Sequence, residues 1–175
     1  MRILGIDPGL TNTGYGLIDA VDREFKAVEG GVIRTQAGDP MEQRLFRIYS
    51  AIRDVIKEFK PDTVAVEDLH SHARFVKTAI LLGHARGVAV MAAGEVELPV
   101  FNYQPTRAKN VVTGSGRAGK EQIRQAVAAH LKTLDAAKNE HVADAFSIAI
   151  CHAIMSDSLA FEEIKKANSV HIVND

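Results

Sequence analysis

Six residues, RILGID (residues 2–7), run almost wholly apolar up to Asp7 and predict a buried strand that ends on a carboxylate. GYGLIDAV (14–21) and FKAVEGGVIRT (25–35) read as two more strands. The short connection at Asp22-Arg23 makes these three an antiparallel meander. Asp39-Pro40 then opens a helix over about residues 41–59, with Leu45, Ile48, Ile52, Val55 and Ile56 on one face. DTVAVED (62–68) predicts a second buried strand, ending on Glu67 and Asp68. A helix rich in small residues follows over about 74–93, then a strand at PVFNY (99–103). Pro105-Thr106 starts a short helix, TGSGRAG makes a loop, and Lys120–His130 is helical. A last apolar helix is expected over about 139–155.

Three antiparallel strands followed by alternating helix and strand predict an α/β fold, with a mixed five-stranded sheet covered by helices. With no linker or internal repeat, residues 1–157 are expected to form one domain, followed by a helical turn and polar tail at 158–175. A hydrophobic fraction of 46% suffices for a real core in 175 residues. The formal net charge of −1 excludes a strong overall field. The distribution is uneven, however. Residues 70–132 hold nine Lys/Arg against three acids, a net +6, while the remainder carries −7. That stretch suits an anionic ligand, although a charge run is also what a solvated face looks like. The single cysteine, Cys151, allows no intrachain disulfide and fits a reducing cytosol. No leader pattern opens the chain, and the apolar stretch 79–93, broken by His84 and Arg86, is expected to be too short and polar for a bilayer. The expectation is a cytoplasmic protein with no membrane partner.

Asp7 and Glu67 end two buried strands, and ligands of α/β sheets gather beyond such strand ends. If the strands are neighbours, the two carboxylates repel and raise each other's pKa unless a cation joins them. The last helix opens with NEHVADAFSIAI, which sets His141 and Asp144 on one face at i, i+3. Glu140 there is equally well explained by the helix dipole. Asp144 lies among small and apolar neighbours, where an acid usually has a partner. Asp7, Glu67, Asp144 and His141 together make an oxygen-rich donor set with one nitrogen, suited to Mg²⁺ or Mn²⁺. Two such ions can activate a water and stabilise the leaving oxygen in phosphodiester hydrolysis.

The order of these residues resembles the RNase H-like nucleases. The segments GIDPGLTNTGYG, AVED, LGHARGVAV, ELPVFNYQPTRAKNVVTGSGRAGKEQI and HVADAFSIAI are similar, in order and spacing, to the RuvC family of crossover (Holliday) junction endodeoxyribonucleases. The resemblance spans residues 2 to about 155. It implies an RNase H-like fold with helices on both faces of the sheet, and a homodimer that resolves four-way DNA junctions by paired symmetric nicks in recombination and repair. The chemistry implied is two-metal-ion hydrolysis that leaves 5′-phosphate and 3′-hydroxyl ends. It makes Asp7, Glu67, His141 and Asp144 metal ligands, with two Mg²⁺ or Mn²⁺ ions per site. Lys120 joins them as a catalytic cation, and Lys109 is the second basic position. It also implies cooperation with the RuvA–RuvB branch-migration complex.

Lys109, Lys120, Arg107, Arg117 and Arg124, with Arg74 and Lys77 upstream, are the basic residues expected on DNA. Without the resemblance, Lys120 reads as an ordinary surface lysine at a helix start. Some family members stack an aromatic residue on a junction base three positions after the strand-end Glu. That position here is His70, and Phe75 lies nearby, so either is a candidate. The TNTG run after Pro8-Gly9, and Thr13 within it, is expected to offer donors to a phosphate, although such residues are also ordinary in turns. Gly83 and Gly87, with Ala79 and Ala85, make the 74–93 helix either a dimer face or a helix packed on its own sheet. Two rival readings remain open at this stage. DPGLTNTG also resembles the phosphate hairpin of actin-like kinases and ATPases, which need two such domains. A non-catalytic junction-binding protein on the same fold is the other.

Overall fold

The structure, a computed structural model, describes residues 1–69, 76–133 and 138–157. His70, Arg74, Phe75 and the tail 158–175 lie outside the described residues. The elements follow in chain order: β1 (Arg2–Asp7), β2 (Asn12–Val21), β3 (Glu24–Arg34), α1 (Met41–Phe59), β4 (Thr63–Glu67), α2 (Val76–Gly94), β5 (Val100–Tyr103), α3 (Pro105–Thr113), α4 (Lys120–Leu131) and α5 (Glu140–Ser156). Five strands form one sheet in the order β3-β2-β1-β4-β5. β1, β2 and β3 are antiparallel, whereas β4 and β5 join parallel. The mixed sheet expected from the sequence is present.

Local chemistry explains the joints. Asp22 and Arg23 both sit in the left-handed region, with φ of 50° and 63°, between the paired residues Val21 and Glu24. A two-residue loop of that handedness matches the twist of the strands it connects. α1 keeps Ile48, Ile52 and Ile56 buried at four-residue spacing, each stabilising the fold by roughly 1.5–3 kcal/mol. It stops at Lys60, whose left-handed backbone returns its N–H to the Ile56 carbonyl before Pro61.

The pleat divides the core. Leu4, Ile6, Val64 and Val66 point to the layer formed by α1 and α2. Ile3 and Ala65 point to the layer formed by α3, α4 and α5. Alternation along each strand therefore sends Asp7 and Glu67 to the α5 side.

α5 reaches the sheet through a glycine row. Gly5, Gly16 and Gly30 are paired across β1, β2 and β3. A Cβ on Gly5 would meet the Ala145 carbonyl oxygen at 2.1 Å, and one on Gly16 would meet the Phe146 ring at 2.7 Å. One step further along, Gly14 pairs with Asp7, and a Cβ there would meet the His141 carbonyl oxygen at 2.1 Å. The missing side chains let the first turns of α5 lie almost on the sheet, beside the end of β1.

α2 divides its small residues between two faces. Its Ala85, Ala89, Ala92 and Ala93 face its own sheet. Gly87 has nothing within 4 Å of a built Cβ, and Ile80 and Met91 are 56% and 55% exposed. Of the small residues singled out, Ala85 therefore belongs to the core and Gly87 faces outward. The length expectation is also corrected: this 19-residue helix is long and apolar enough to cross a membrane by length and composition alone.

Candidate active site

Asp7 and Glu67 are the last residues of neighbouring parallel strands, and the Ile6–Val66 pairing sets them side by side. α5 supplies the other two groups. Asn139 caps this helix, its side-chain oxygen accepting from the backbone N–H groups of His141 at 3.0 Å and Val142 at 3.4 Å. The cap fixes the first turn, and His141 Nδ1 lies 3.1 Å from Asp7 Oδ2. Asp7, Glu67, His141 and Asp144 thus line one cavity of about 390 Å³, together with Pro8, Gly9 and Asn12 of the β1–β2 loop. The structure brings together the four residues picked from the sequence. It adds Asn139, visible only as a cap residue before a helix, and Asp68, whose carboxylate accepts from the Leu69 N–H at 2.9 Å.

The electrostatics are those of a crowded anionic hollow. Burial first, then the nearby Asp7 and Asp144, pushes the Glu67 carboxyl from its usual 4.5 up to about 8. Burial first, then Asp7 and Glu140, pushes Asp144 up to about 6. Lys109 opposes both shifts. Among the described residues, no three His, Cys, Asp or Glu side chains close around one point as a ready-made metal cage. Asp7 instead stands beside Glu67, and its Oδ2 lies 3.1 Å from His141 Nδ1. The donor set still fits hard divalent cations. Carboxylate oxygens plus one imidazole are their ligands, two protein groups per ion suffice for Mg²⁺, and added positive charge would relieve the repulsion.

This yields a measurable expectation. An acid whose pKa is higher in the folded state costs no stability below its unfolded value, near 4.5. It costs progressively more as pH rises toward 8. The metal-free protein should therefore melt at a lower temperature near pH 8 than near pH 6, and Mg²⁺ or Mn²⁺ should reverse the loss. Glu67→Gln should raise metal-free stability at pH 8 by roughly 2–4 kcal/mol and flatten the pH dependence. Calorimetry with and without chelator decides this, and a destabilised Glu67→Gln would contradict it.

Two lysines stand beside the acids. Lys109 and Lys120 line a smaller hollow of about 100 Å³ that shares Glu67, Asp144 and Pro105 with the first. Lys120 is the first residue of α4, and its ammonium is taken by Glu140. That contact raises the Lys120 pKa and lowers that of Glu140. Other basic candidates stay outside both hollows. Arg107 turns its guanidinium toward Met155 Sδ at 3.6 Å, near the far end of α5. Arg124 pairs with Glu121, Arg117 lies in the exposed loop before α4, and Lys77 is exposed on the first turn of α2. Thr13 requires a correction. It is fully buried, and its hydroxyl donates to the Gly9 carbonyl at 2.6 Å, so it ties the β1–β2 loop together and cannot reach DNA.

The chain is similar to known proteins over most of its length. The pattern of the family described as crossover junction endodeoxyribonuclease RuvC matches residues 3–152. The chain belongs to the RuvC family. A relative of that description from Desulforamulus reducens is 40% identical over 158 residues, covering 90% of this chain and 96% of its own. Another, from Alkaliphilus oremlandii, is 46% identical over 153 residues, covering 87% and 93%. The structure of Thermus thermophilus RuvC in complex with Holliday junction substrate superposes with a TM-score of 0.83 at 33% identity, covering 89% and 94%. The fold is thus RNase H-like, and the RuvC-family assignment makes the chain a nuclease of the metal-dependent hydrolase kind.

Proposed function

We propose that this protein resolves four-way DNA junctions by paired symmetric nicks, with the cavity at the ends of β1 and β4 as the cutting centre. The observation that carries the reading is the convergence of Asp7, Glu67, His141 and Asp144 on one cavity, with the Glu67 and Asp144 pKa values raised by burial and by the neighbouring acids. These residues would hold two Mg²⁺ or Mn²⁺ ions, which when bound activate the attacking water and stabilise the leaving oxygen. Asp7 stands between the other donors, beside Glu67 on one side and 3.1 Å from His141 Nδ1 on the other. Asn139 holds His141 in place through the helix backbone. Lys109 and Lys120 meet the phosphate as point charges. Lys120 and Glu140 form an exposed pair, 72% and 42% accessible, whose attraction water and salt screen. A phosphate can therefore take Glu140's place on the ammonium. The ends left are a 5′-phosphate and a 3′-hydroxyl.

The experiment is direct. A labelled four-way junction and a linear duplex are incubated with protein, with and without Mn²⁺, and run on a denaturing gel. Metal-dependent nicks at symmetric positions in the junction alone are expected, and a ligase should reseal them. Equal cutting of the duplex, or nicks that cannot be resealed, would refute the reading. ATP turnover without nicks would favour a kinase-like role.

The working unit we propose is a homodimer joined through α2. Val76, Ile80 and Met91 are more than half exposed on an apolar helix with open space at Gly87. A two-fold contact there sets two copies of the cavity together for two cuts, and accounts for the apolar outer face of α2 without a membrane. Ile80→Glu should shift the protein to monomers in light scattering without loss of fold. With that variant, singly nicked junctions should accumulate. A dimer unchanged by Ile80→Glu would place the interface elsewhere. The reducing cytosol is the compartment we assign, and RuvA–RuvB the expected partners by family.

A further inference from the structure

Arg44 occupies a position where the α1 stripe calls for an apolar side chain, four residues before Ile48. It is 8% exposed, and it makes no ion pair with a carboxylate among the described residues. Buried cations without an acid are uncommon. Its guanidinium instead donates to two hydroxyls, from Nε to Thr35 Oγ1 at 2.9 Å and from Nη2 to Thr11 Oγ1 at 3.2 Å. Thr35 passes the tie on, its hydroxyl donating to the Leu10 carbonyl at 2.5 Å while its N–H donates to the Thr11 carbonyl at 3.0 Å.

All these bonds converge on Leu10 and Thr11, within the loop whose Pro8, Gly9 and Asn12 wall the cavity. Thr11 itself is exposed, unlike the buried Thr13. A hydroxyl that accepts from a guanidinium keeps its own proton for another acceptor. The Thr11 O–H is thus available to an outside acceptor, one residue from the cavity-lining Asn12, with the Arg44 guanidinium 3.2 Å from its oxygen. We propose that Arg44 is a positioning residue for strand cutting: it holds Leu10–Thr11 so that the Thr11 hydroxyl donates to a backbone phosphate of the DNA strand entering the cavity. The inference rests on reading the cavity as the nuclease centre.

A purely structural role for Arg44 predicts something different. Arg44 has no carboxylate partner, so Arg44→Met strands no buried charge, and Thr35 keeps its bond to Leu10 without Arg44. The test uses the full chain and pre-bound four-way junction, with single-turnover cutting started by Mn²⁺. Arg44→Met is expected to melt within roughly 5 °C of the unchanged protein yet cut at least tenfold more slowly. Thr11→Val should slow cutting in the same direction, and Thr11→Ser should restore it. Cutting by Thr11→Val at the unchanged rate overturns the proposal, as does full-rate cutting by Arg44→Met. If Arg44→Met fails to fold, the exposed Thr11 pair decides alone. If the unchanged protein does not cut the junction at all, the nuclease reading itself fails, and this inference with it.

Discussion

Asp7→Asn is expected to lower junction cutting by roughly a thousandfold or more while leaving junction binding intact. Asp7 sits between the two supporting elements, beside Glu67 at the end of β4 and 3.1 Å from His141 Nδ1 on α5. It is also well enclosed, its side chain 16% exposed. Asparagine keeps the shape and can still bond to both neighbours, so the fold should survive. What it removes is the negative charge on which cations would be shared. Binding should hold or tighten, because DNA then meets one acid fewer. Gel-shift titration without divalent metal measures binding, and cutting with Mg²⁺ or Mn²⁺ measures the loss. An Asp7→Asn protein that cuts at an ordinary rate would remove the carboxylate cluster from the mechanism.

Gly14→Ala should be nearly as damaging, through geometry alone. The new methyl would lie 2.1 Å from the His141 carbonyl oxygen and 2.6 Å from its carbonyl carbon, both backbone atoms that no rotamer change can move. α5 must then lift from the sheet, or the strand must bend. Overpacking of this kind costs roughly 3 kcal/mol or more, and displacement of about 1 Å at His141 and Asp144 can cost on the order of a hundredfold in rate. Gly38→Ala is the control, because nothing lies within 4 Å of its built Cβ. Thermal melts and cutting rates of the pair would show the contrast. A Gly14→Ala protein with unchanged melting and cutting would mean that α5 does not depend on the close approach.

The acids were legible because strand-end and helix-start positions follow from periodicity. RILGID and DTVAVED end where β1 and β4 end, give or take a residue, and α1 spans Met41–Phe59 as its stripe implies. What periodicity cannot show is register. The sequence displays glycines at 5, 14, 16 and 30, but only the pairing of β1 with β2 and of β2 with β3 turns them into a bed for α5. Side-chain direction in loops is equally hidden, so that Thr13 looked as available as Thr11. Arg107 shows the same limit: the sequence places it beside Lys109, and only the helix geometry shows its guanidinium directed at Met155. Arg44 was invisible because a lone arginine in an amphipathic helix looks like surface.

Gly9 sharpens the reading of the first loop. Its backbone needs no left-handed conformation, since Gly114 is the one described glycine with positive φ. A Cβ there would instead meet the Asn12 carbonyl oxygen at 2.2 Å. Gly9 is required for space, so that the chain can fold back against Asn12 immediately after Asp7.

On the proposed reading, the four converging groups hold the cations that drive cutting. Crystals grown with Mn²⁺ and measured at its absorption edge test it most directly. Anomalous density is expected inside the cavity, bounded by Asp7, Glu67, His141 and Asp144, and its loss is expected in Asp7→Asn. Manganese bound only elsewhere, at concentrations that support junction cutting, would contradict it.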